Sequence, residues 1–289
     1  MDYQGMIIRP PSEANSILLQ ITLGCSHNKC TFCGTFRQKR FNIKPDDLIF
    51  KDIEYARTHF TRQRRLFLCD GDALVIPQKR LVKILKQIRE RLPWVERVGL
   101  YANTKSIGLK TDEQLLELRD LGVKIAYMGL ESGDDTVLKA IRKGADSQKM
   151  ITMGQRVRAA GIKLSITVLL GLGGKTRSRE HALETGRVLS AIDPEYVGAL
   201  SLMLVPGSEL YDAHEKGEFE VISAEEMLEE LGVMISATRL TNGLFHANHA
   251  SNYLPIRAKM PEDKEKTLEL ISQALKGNIA LKPEHMRAL

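Results

Sequence analysis

The chain has 289 residues, of which 43% are hydrophobic and 27% charged, values typical of a folded globular protein with a full core. No apolar run approaches the roughly 18 residues of a membrane-spanning helix, and the N-terminal residues lack the features of a signal peptide. A net charge of +6 suits surface charge better than a nucleic-acid surface. The basic residues are dispersed, and the densest sets are Arg37/Lys39/Arg40 and Arg62/Arg64/Arg65.

Apolar, β-branched stretches alternate with helical patterns over roughly the first 220 residues. Six buried strands are predicted, at 16–23, 65–69, 97–101, 124–129, 163–170 and 196–204. Capping residues and helical spacing predict helices between these strands. In chain order they lie at 45–60, at 78–91, from Thr111 onward, at two places within 133–161, and at 178–191. Strict alternation of near-continuous apolar strands with helices is typical of a parallel sheet. We therefore predict an α/β fold, a partial (β/α)6 TIM-like barrel with a small helical C-terminal extension.

Three regions follow from this pattern. Residues 1–15 form an N-terminal extension and residues 16–219 the barrel. Residues 220–289 form a helical extension that we expect to cover the barrel. Within it, residues 245–255 are polar and irregular, and they are longer than an ordinary connection of about 4 to 6 residues.

Three of the four cysteines lie within nine residues, Cys25, Cys30 and Cys33, in a C-x4-C-x2-C pattern. Three thiolates from one loop can hold three corners of a [4Fe–4S] cluster, which leaves the fourth iron open to a substrate. The alternative is a structural zinc site completed by His27 or a distant histidine. With only Cys69 outside the loop, a disulfide framework is not expected, and the protein is predicted to be cytoplasmic.

Each predicted strand ends at residues suited to a ligand site. In parallel barrels the reactive residues follow the carboxyl ends of the strands. In chain order these exits carry the cysteine loop, residues 70–73, Asn103, and residues 131–133, 171–174 and 206–207. Single glycines after strands are ordinary turn residues, so the convergence of six exits is the informative feature.

The cysteine loop resembles the cluster loop of radical S-adenosylmethionine (SAM) enzymes, including the aromatic Phe32 before the last cysteine, with one extra residue in the first gap. Over residues 16–216 the chain resembles the Elp3-like branch of that superfamily. Residues 205–211, Val-Pro-Gly-Ser-Glu-Leu-Tyr, match the Pro-Gly-x-x-Leu-Tyr run of this branch. The resemblance implies a [4Fe–4S] cluster on Cys25, Cys30 and Cys33.

The same resemblance implies contacts to SAM. Gly71 and Asp72 stand in place of a Gly-Gly-Glu motif, so they would meet the methionyl ammonium, although Asp72 is one methylene shorter than glutamate. Glu131 would lie near the ribose or amino group, and Lys143 would pair with the carboxylate or stay on the surface.

Adenine would lie on the glycines of the turn after the fifth predicted strand, Gly171 and Gly173, with Phe32 approaching from the cluster loop. Glycine suits such a position because a ligand can lie directly against the backbone.

The function implied is that of an oxygen-sensitive radical SAM enzyme. A reduced cluster, supplied by an electron donor such as flavodoxin or ferredoxin, would split SAM into methionine and a 5′-deoxyadenosyl radical that abstracts hydrogen from a substrate. We expect a small polar or anionic substrate. The alternative is a zinc- or Fe–S-stabilised RNA-binding module without SAM chemistry.

Substrate contacts are expected from the polar stretch near the C-terminus, through His246, His249, Asn252 and Tyr253. Its donors and acceptors are dense enough to orient a polar molecule. The alternative interpretation is a surface loop of turn and capping residues.

Overall fold

A computed structural model describes residues 1–37 and 39–288. The chain forms two compact units. The first contains Met1–Asn28, Thr35–Met128 and Arg156–Leu164, and the second contains Lys29–Gly34, Gly129–Gln155 and the chain from Ser165 onward. Among the described residues, no helix is both long and apolar enough to cross a membrane.

Strands and helices alternate along most of the chain. The strands are β1 (Ile17–Gln20), β2 (Thr22–Leu23), β3 (Asn42–Ile43), β4 (Arg65–Cys69), β5 (Arg97–Ala102), β6 (Val123–Glu131), β7 (Lys163–Leu170), β8 (Tyr196–Ser201), β9 (Gly243–Ala247) and β10 (Ile256–Met260). The helices are α1 (Asp46–His59), α2 (Gln78–Arg91), α3 (Thr104–Gly108), α4 (Asp112–Asp120), α5 (Asp135–Ala140), α6 (Ser147–Ala159), α7 (Gly174–Ile192), α8 (Glu209–Glu215), α9 (Ala224–Ala237) and α10 (Lys264–Leu275).

The first unit is built on parallel strands in the order β1, β4, β5 and β6. Leu19 pairs in register with Leu68, and Leu68 with Leu100; all three side chains are buried. Strands that are apolar on both faces need cover on both faces, and the alternating helices contribute part of it. On α2 the residues predicted to face the core, Leu81, Ile84, Leu85 and Ile88, are buried.

The second unit also has a parallel arrangement, in which β7 pairs with β8 and β8 with β9, while β10 runs antiparallel to β9. Both units therefore combine mainly parallel strands with helices, and the α/β prediction is confirmed. Helix α9 packs against α7, and α10 packs against α9.

The C-terminal region differs from its sequence-based description. It contains α9 and α10 as expected, but it also adds β9 and β10, so residues 245–247 are a strand and the prediction that they are irregular is wrong. The alternation in β9 is short: Gly243, Phe245 and Ala247 are buried, and His246 between them is partly exposed. Five residues with a glycine and a histidine give too weak a period-two signal to predict a strand. The boundaries at residues 16 and 220 remain predictions.

Candidate active site

In the first unit, the cysteine loop begins where β2 ends. The Gly71 amide, after β4, donates a hydrogen bond to the Gly24 carbonyl over 3.1 Å. Gly24 has a φ of +72°, a conformation in which glycine carries no steric penalty. Cys25 follows directly and is partly exposed. The strand exit and a backbone hydrogen bond thus fix the position of the first cysteine.

In the second unit, the residues between Cys30 and Cys33 are held from two sides. The Thr31 amide donates to the Ile141 carbonyl, and the Leu210 amide donates to the Thr31 carbonyl, each over 3.0 Å. Leu210 belongs to the Pro-Gly-x-x-Leu-Tyr run, so this run supports the cysteine loop directly. Cys30 and Cys33 are both partly exposed.

The chemistry of this donor set fits an iron–sulfur cluster. Three partly exposed thiols on one short loop are soft ligands, which select iron–sulfur clusters or zinc. Across residues 1–37 and 39–288, no three His, Cys, Asp or Glu side chains are gathered closely enough to hold a metal ion. The fit therefore rests on the types and spacing of the donors and not on a preformed cage.

Asp72 lies at the centre of a buried polar group in the first unit. Its Oδ2 accepts from Asn103 Nδ2 over 2.7 Å and from the Ser26 hydroxyl. Its Oδ1 is buried without a hydrogen-bond partner among the described residues. Burial raises the pKa of the Asp72 carboxyl, against the opposing effect of its Ser26 and Asn103 hydrogen bonds. An unpartnered buried carboxylate oxygen fits a role in binding a cationic group.

Gly71 is a glycine for a packing reason. A Cβ at this position would lie 2.7 Å from the Phe36 ring and 3.1 Å from the Gly24 carbonyl oxygen. The preceding Asp70 is paired with Lys39, whose Nζ lies 3.1 Å from Asp70 Oδ2. A larger residue at position 71 would therefore collide with Phe36 and the Gly24 carbonyl, and the contact of the Gly71 backbone with SAM stays a prediction.

In the second unit, Glu131 and Lys143 contact each other. Glu131 Oε1 lies 2.9 Å from Lys143 Nζ, and both side chains are mostly buried. Glu131 has a φ of +65°, an uncommon conformation for a non-glycine residue. A Cβ on Gly129 would collide with the Glu131 carboxylate. The two residues assigned separately to SAM form one ion pair.

The glycine turn after β7 is fixed by a carboxylate from α9. Gly171 has a φ of +82°; its amide donates to Glu230 Oε1 over 2.7 Å, and its carbonyl accepts from the Gly174 amide over 3.1 Å. Gly173 caps α7, where a Cβ would lie 2.9 Å from the Arg177 carbonyl oxygen. Helix α7 consequently begins at Gly174 and not at residue 178.

A buried histidine lies behind the same turn. His181 Nδ1 and the Ser132 hydroxyl are 2.7 Å apart. His181 Nε2 is 3.4 Å from Glu230 Oε1 but outside hydrogen-bonding geometry. Burial lowers the pKa of His181 to about 4 and raises that of Glu230 to about 7. His181 is therefore neutral at pH 7.

The four residues predicted to bind the substrate occupy different environments. Asn252 is buried, and its amide accepts from the Ser201 hydroxyl and donates to the Ala199 carbonyl, both over 2.9 Å. The Tyr253 hydroxyl donates to Glu284, and the Arg287 guanidinium lies 4.2 Å from the Tyr253 ring centroid.

His246 and His249 are partly exposed. Burial lowers the pKa of both histidines, assisted by Arg257 and by Lys282 respectively. Of the four residues, these two histidines keep exposed surface for a ligand, whereas the polar groups of Asn252 are occupied by the protein.

Sequence reasoning missed several polar residues at this site. Ser26 could have been found, because it is a hydroxyl inside the cysteine loop. Ser178, His181 and Glu230 carry no local signal, since each lies within an ordinary amphipathic helix pattern.

Comparison with known proteins identifies the family. The family model described as "Radical SAM superfamily" matches residues 19–186. Biotin synthase from Aromatoleum aromaticum is 25% identical over 237 residues, which cover 80% of this chain and 70% of that protein.

Two solved structures share the fold. Coproporphyrinogen III oxidase (HemN) from Escherichia coli, a radical SAM enzyme, superposes with a TM-score of 0.57 at 15% identity over 76% of this chain and 51% of that one. Elp3 from the archaeon Methanocaldococcus infernus gives a TM-score of 0.51 at 14% identity over 91% of this chain and 63% of that one. The chain spans between half and two thirds of these structures, and the likeness shows a partial TIM-like barrel fold.

Proposed function

The chain belongs to the radical SAM superfamily, and from this premise we propose that it is an enzyme that abstracts hydrogen from a small polar or anionic substrate. Members of the superfamily use a [4Fe–4S] cluster and S-adenosylmethionine. The substrate and the outcome of the reaction are the specific part of the proposal. The RNA-binding module considered from the sequence is the competing function.

One observation carries the proposal: the three clustered cysteines lie within the span that matches the family model. We assign Cys25, Cys30 and Cys33 as cluster ligands. When bound, the cluster would supply one electron that splits SAM into methionine and a 5′-deoxyadenosyl radical, which takes a hydrogen atom from a substrate C–H bond to give 5′-deoxyadenosine. The thiolates need a reducing cytoplasm to remain available.

The protein residues bind and orient SAM. Asp72 would receive the methionyl ammonium at Oδ1, the oxygen that lacks a partner in the described structure. The Gly71 backbone would contact the same group. A side chain at position 71 would collide with the Phe36 ring. Phe32, Gly171 and Gly173 would contact adenine, where a close backbone approach excludes water.

Glu131 and Lys143 would bind SAM as a pair. In the described structure each neutralises the other at 2.9 Å. A zwitterionic methionyl group carries both charges, so it can exchange with this pair without leaving an uncompensated charge. This supports a contact at the ribose or amino group for Glu131 and at the carboxylate for Lys143.

Two finer assignments belong to the proposal. The Pro-Gly-x-x-Leu-Tyr run, whose Leu210 holds the cysteine loop through Thr31, supports the Elp3-like branch. A one-electron reductant is required, and flavodoxin or ferredoxin fits that requirement. Substrate contacts are proposed from His246 and His249, which keep exposed surface.

Anaerobic reconstitution with iron and sulfide tests the function. The expected result is about four irons per chain with the absorption of an iron–sulfur cluster, and formation of methionine and 5′-deoxyadenosine from SAM under dithionite. Stoichiometric zinc with no SAM cleavage would instead support the binding module. Comparison of small-molecule metabolites in a deletion strain and its parent would then identify the substrate.

A further inference from the structure

Glu230 breaks the pattern of the helix that carries it. The buried face of α9 is otherwise apolar, with Met227, Leu228, Leu231 and Met234. A carboxylate in such a place loses its hydration, and a leucine would pack there without that penalty. The position therefore calls for a role that an apolar side chain could not fulfil.

Each oxygen of the carboxylate accepts one hydrogen bond. Oε1 accepts from the Gly171 amide over 2.7 Å, and Oε2 accepts from the Ser178 hydroxyl over 2.5 Å. Gly171 adopts a φ of +82°, and its N–H donates to Glu230. A buried N–H without an acceptor is costly, so Glu230 stabilises this particular shape of the turn.

The contact continues to the turn after β6. His181 lies one helical turn beyond Ser178, and its Nε2 lies 3.4 Å from Glu230 Oε1. Its Nδ1 is 2.7 Å from the Ser132 hydroxyl, which already accepts from the Asp134 amide. His181 Nε2 is outside hydrogen-bonding geometry with the carboxylate, so His181 packs against Glu230 without a hydrogen bond between them.

We propose that Glu230 is a positioning residue for SAM, a role that rests on the function proposed above: it holds the glycine turn after β7 through its hydrogen bonds to Gly171 and Ser178. It also packs against His181, which contacts Ser132 in the turn after β6. Helix α9 lies in the predicted C-terminal extension, so this role would give that extension a part in cofactor binding. Glu230 acts through Gly171 and does not itself contact SAM.

Four variants of the reconstituted full-length chain test the proposal by calorimetric titration with SAM. Loss of a hydrogen bond to a charged group predicts about ten- to a hundredfold weaker SAM binding for Glu230→Ala. Glu230→Asp is too short to reach both donors and should be weakened about tenfold on the same basis. Glu230→Gln keeps the acceptor for Gly171 and should restore the affinity to within about threefold.

Glu229→Ala is the matched control, because Glu229 is the exposed neighbour on the same helix. It should bind SAM as the wild type does. Hydrogen–deuterium exchange should be faster in Glu230→Ala and Glu230→Asp than in Glu230→Gln within the segment 169–174 and unchanged in β4 and β5, a localised difference that general loss of stability would not produce.

The outcomes separate the two proposals. If the wild type with about four irons fails to bind SAM, the function itself is wrong. If the wild type binds SAM, and Glu230→Asp matches its affinity at equal iron content, Glu230 is structural only and the positioning role is overturned. Should Glu230→Ala fail to fold, the contrast between the Asp and Gln variants decides alone.

Discussion

The Glu131 carboxylate lies 2.9 Å from the Lys143 ammonium, with both side chains mostly buried. Removal of one partner leaves the other as an uncompensated charge. Glu131→Ala and Lys143→Ala should each lower the free energy of unfolding by more than half of the loss measured for the double variant. The coupling free energy between the two side chains should be about 1–3 kcal/mol. Chemical denaturation of the apo protein measures this coupling. The exposed pair Glu184 and Arg187 is the control, expected near 0–1 kcal/mol; equal coupling in both pairs would contradict the prediction.

Replacement of Cys25, Cys30 or Cys33 by alanine should abolish the open-iron cluster and SAM cleavage while the fold survives, because two thiolates hold such a cluster poorly. Iron content and 5′-deoxyadenosine formation are the measurements. Cys69→Ala is the control: Cys69 is buried in β4, and burial raises the pKa of its thiol. Full cleavage by Cys30→Ala would refute the ligand assignment.

Asp72→Asn should separate binding from stability. The pKa of Asp72 is raised in the folded protein, so its contribution to stability is present below the pKa of the unfolded chain and is lost as the pH rises through the folded value. At pH 7 the variant should be at least as stable as the wild type, yet bind SAM more weakly at unchanged iron content.

Calorimetry and denaturation at pH 7 test both halves of this prediction. Asp47→Asn, at an exposed position on α1, should leave SAM affinity unchanged. A less stable Asp72→Asn protein with wild-type SAM affinity would place Asp72 outside the cofactor site.

Glu230 and His181 should give opposite dependences of stability on pH. The pKa of Glu230 rises from 4.5 to about 7 on folding, so its stabilising contribution is present below pH 4.5 and is lost as the pH rises through about 7. The pKa of His181 falls from 6.5 to about 4, so its contribution is present above pH 6.5 and is lost as the pH falls through about 4. Each difference corresponds to about 3 kcal/mol.

Denaturation curves from pH 4 to 8 test this assignment. The unfolding free energy of the wild type minus that of Glu230→Gln should fall as the pH rises, and the same difference for His181→Asn should rise. Glu229→Gln should show no trend in this range. Parallel curves for wild type and Glu230→Gln would exclude the raised pKa.

Replacement of Asn252 should lower stability, whereas replacement of His246 and His249 together should remove substrate turnover. Asn252→Ala leaves the buried Ser201 hydroxyl and Ala199 carbonyl without partners, which should cost about 1–3 kcal/mol of unfolding free energy. The double variant His246→Ala/His249→Ala should instead leave SAM cleavage near the wild-type rate and remove substrate turnover. The exposed Asn248→Ala serves as the control. Loss of the cluster in the folded double-histidine variant would assign these residues to the cofactor site.

The sequence by itself determined the six predicted strands, the cysteine spacing and the residues at each strand exit. These signals are local: the predicted bounds of β7 match the observed ones because six of its eight residues are apolar or β-branched and the segment lies between two turns. The α/β class followed from the alternation of such segments, which depends on chain order alone.

Only the tertiary structure decided which polar groups meet. Asp72 and Asn103 lie on different strand exits, and Glu230 is 59 residues from the Gly171 amide that it holds. Long-range pairing depends on the packing of whole helices and strands, whereas a sequence pattern reports only neighbours on one element. For the same reason the sequence around Glu230 indicates only a polar position in a helix. The burial of Glu230 results from the packing of α9 against α7, which the sequence pattern does not report.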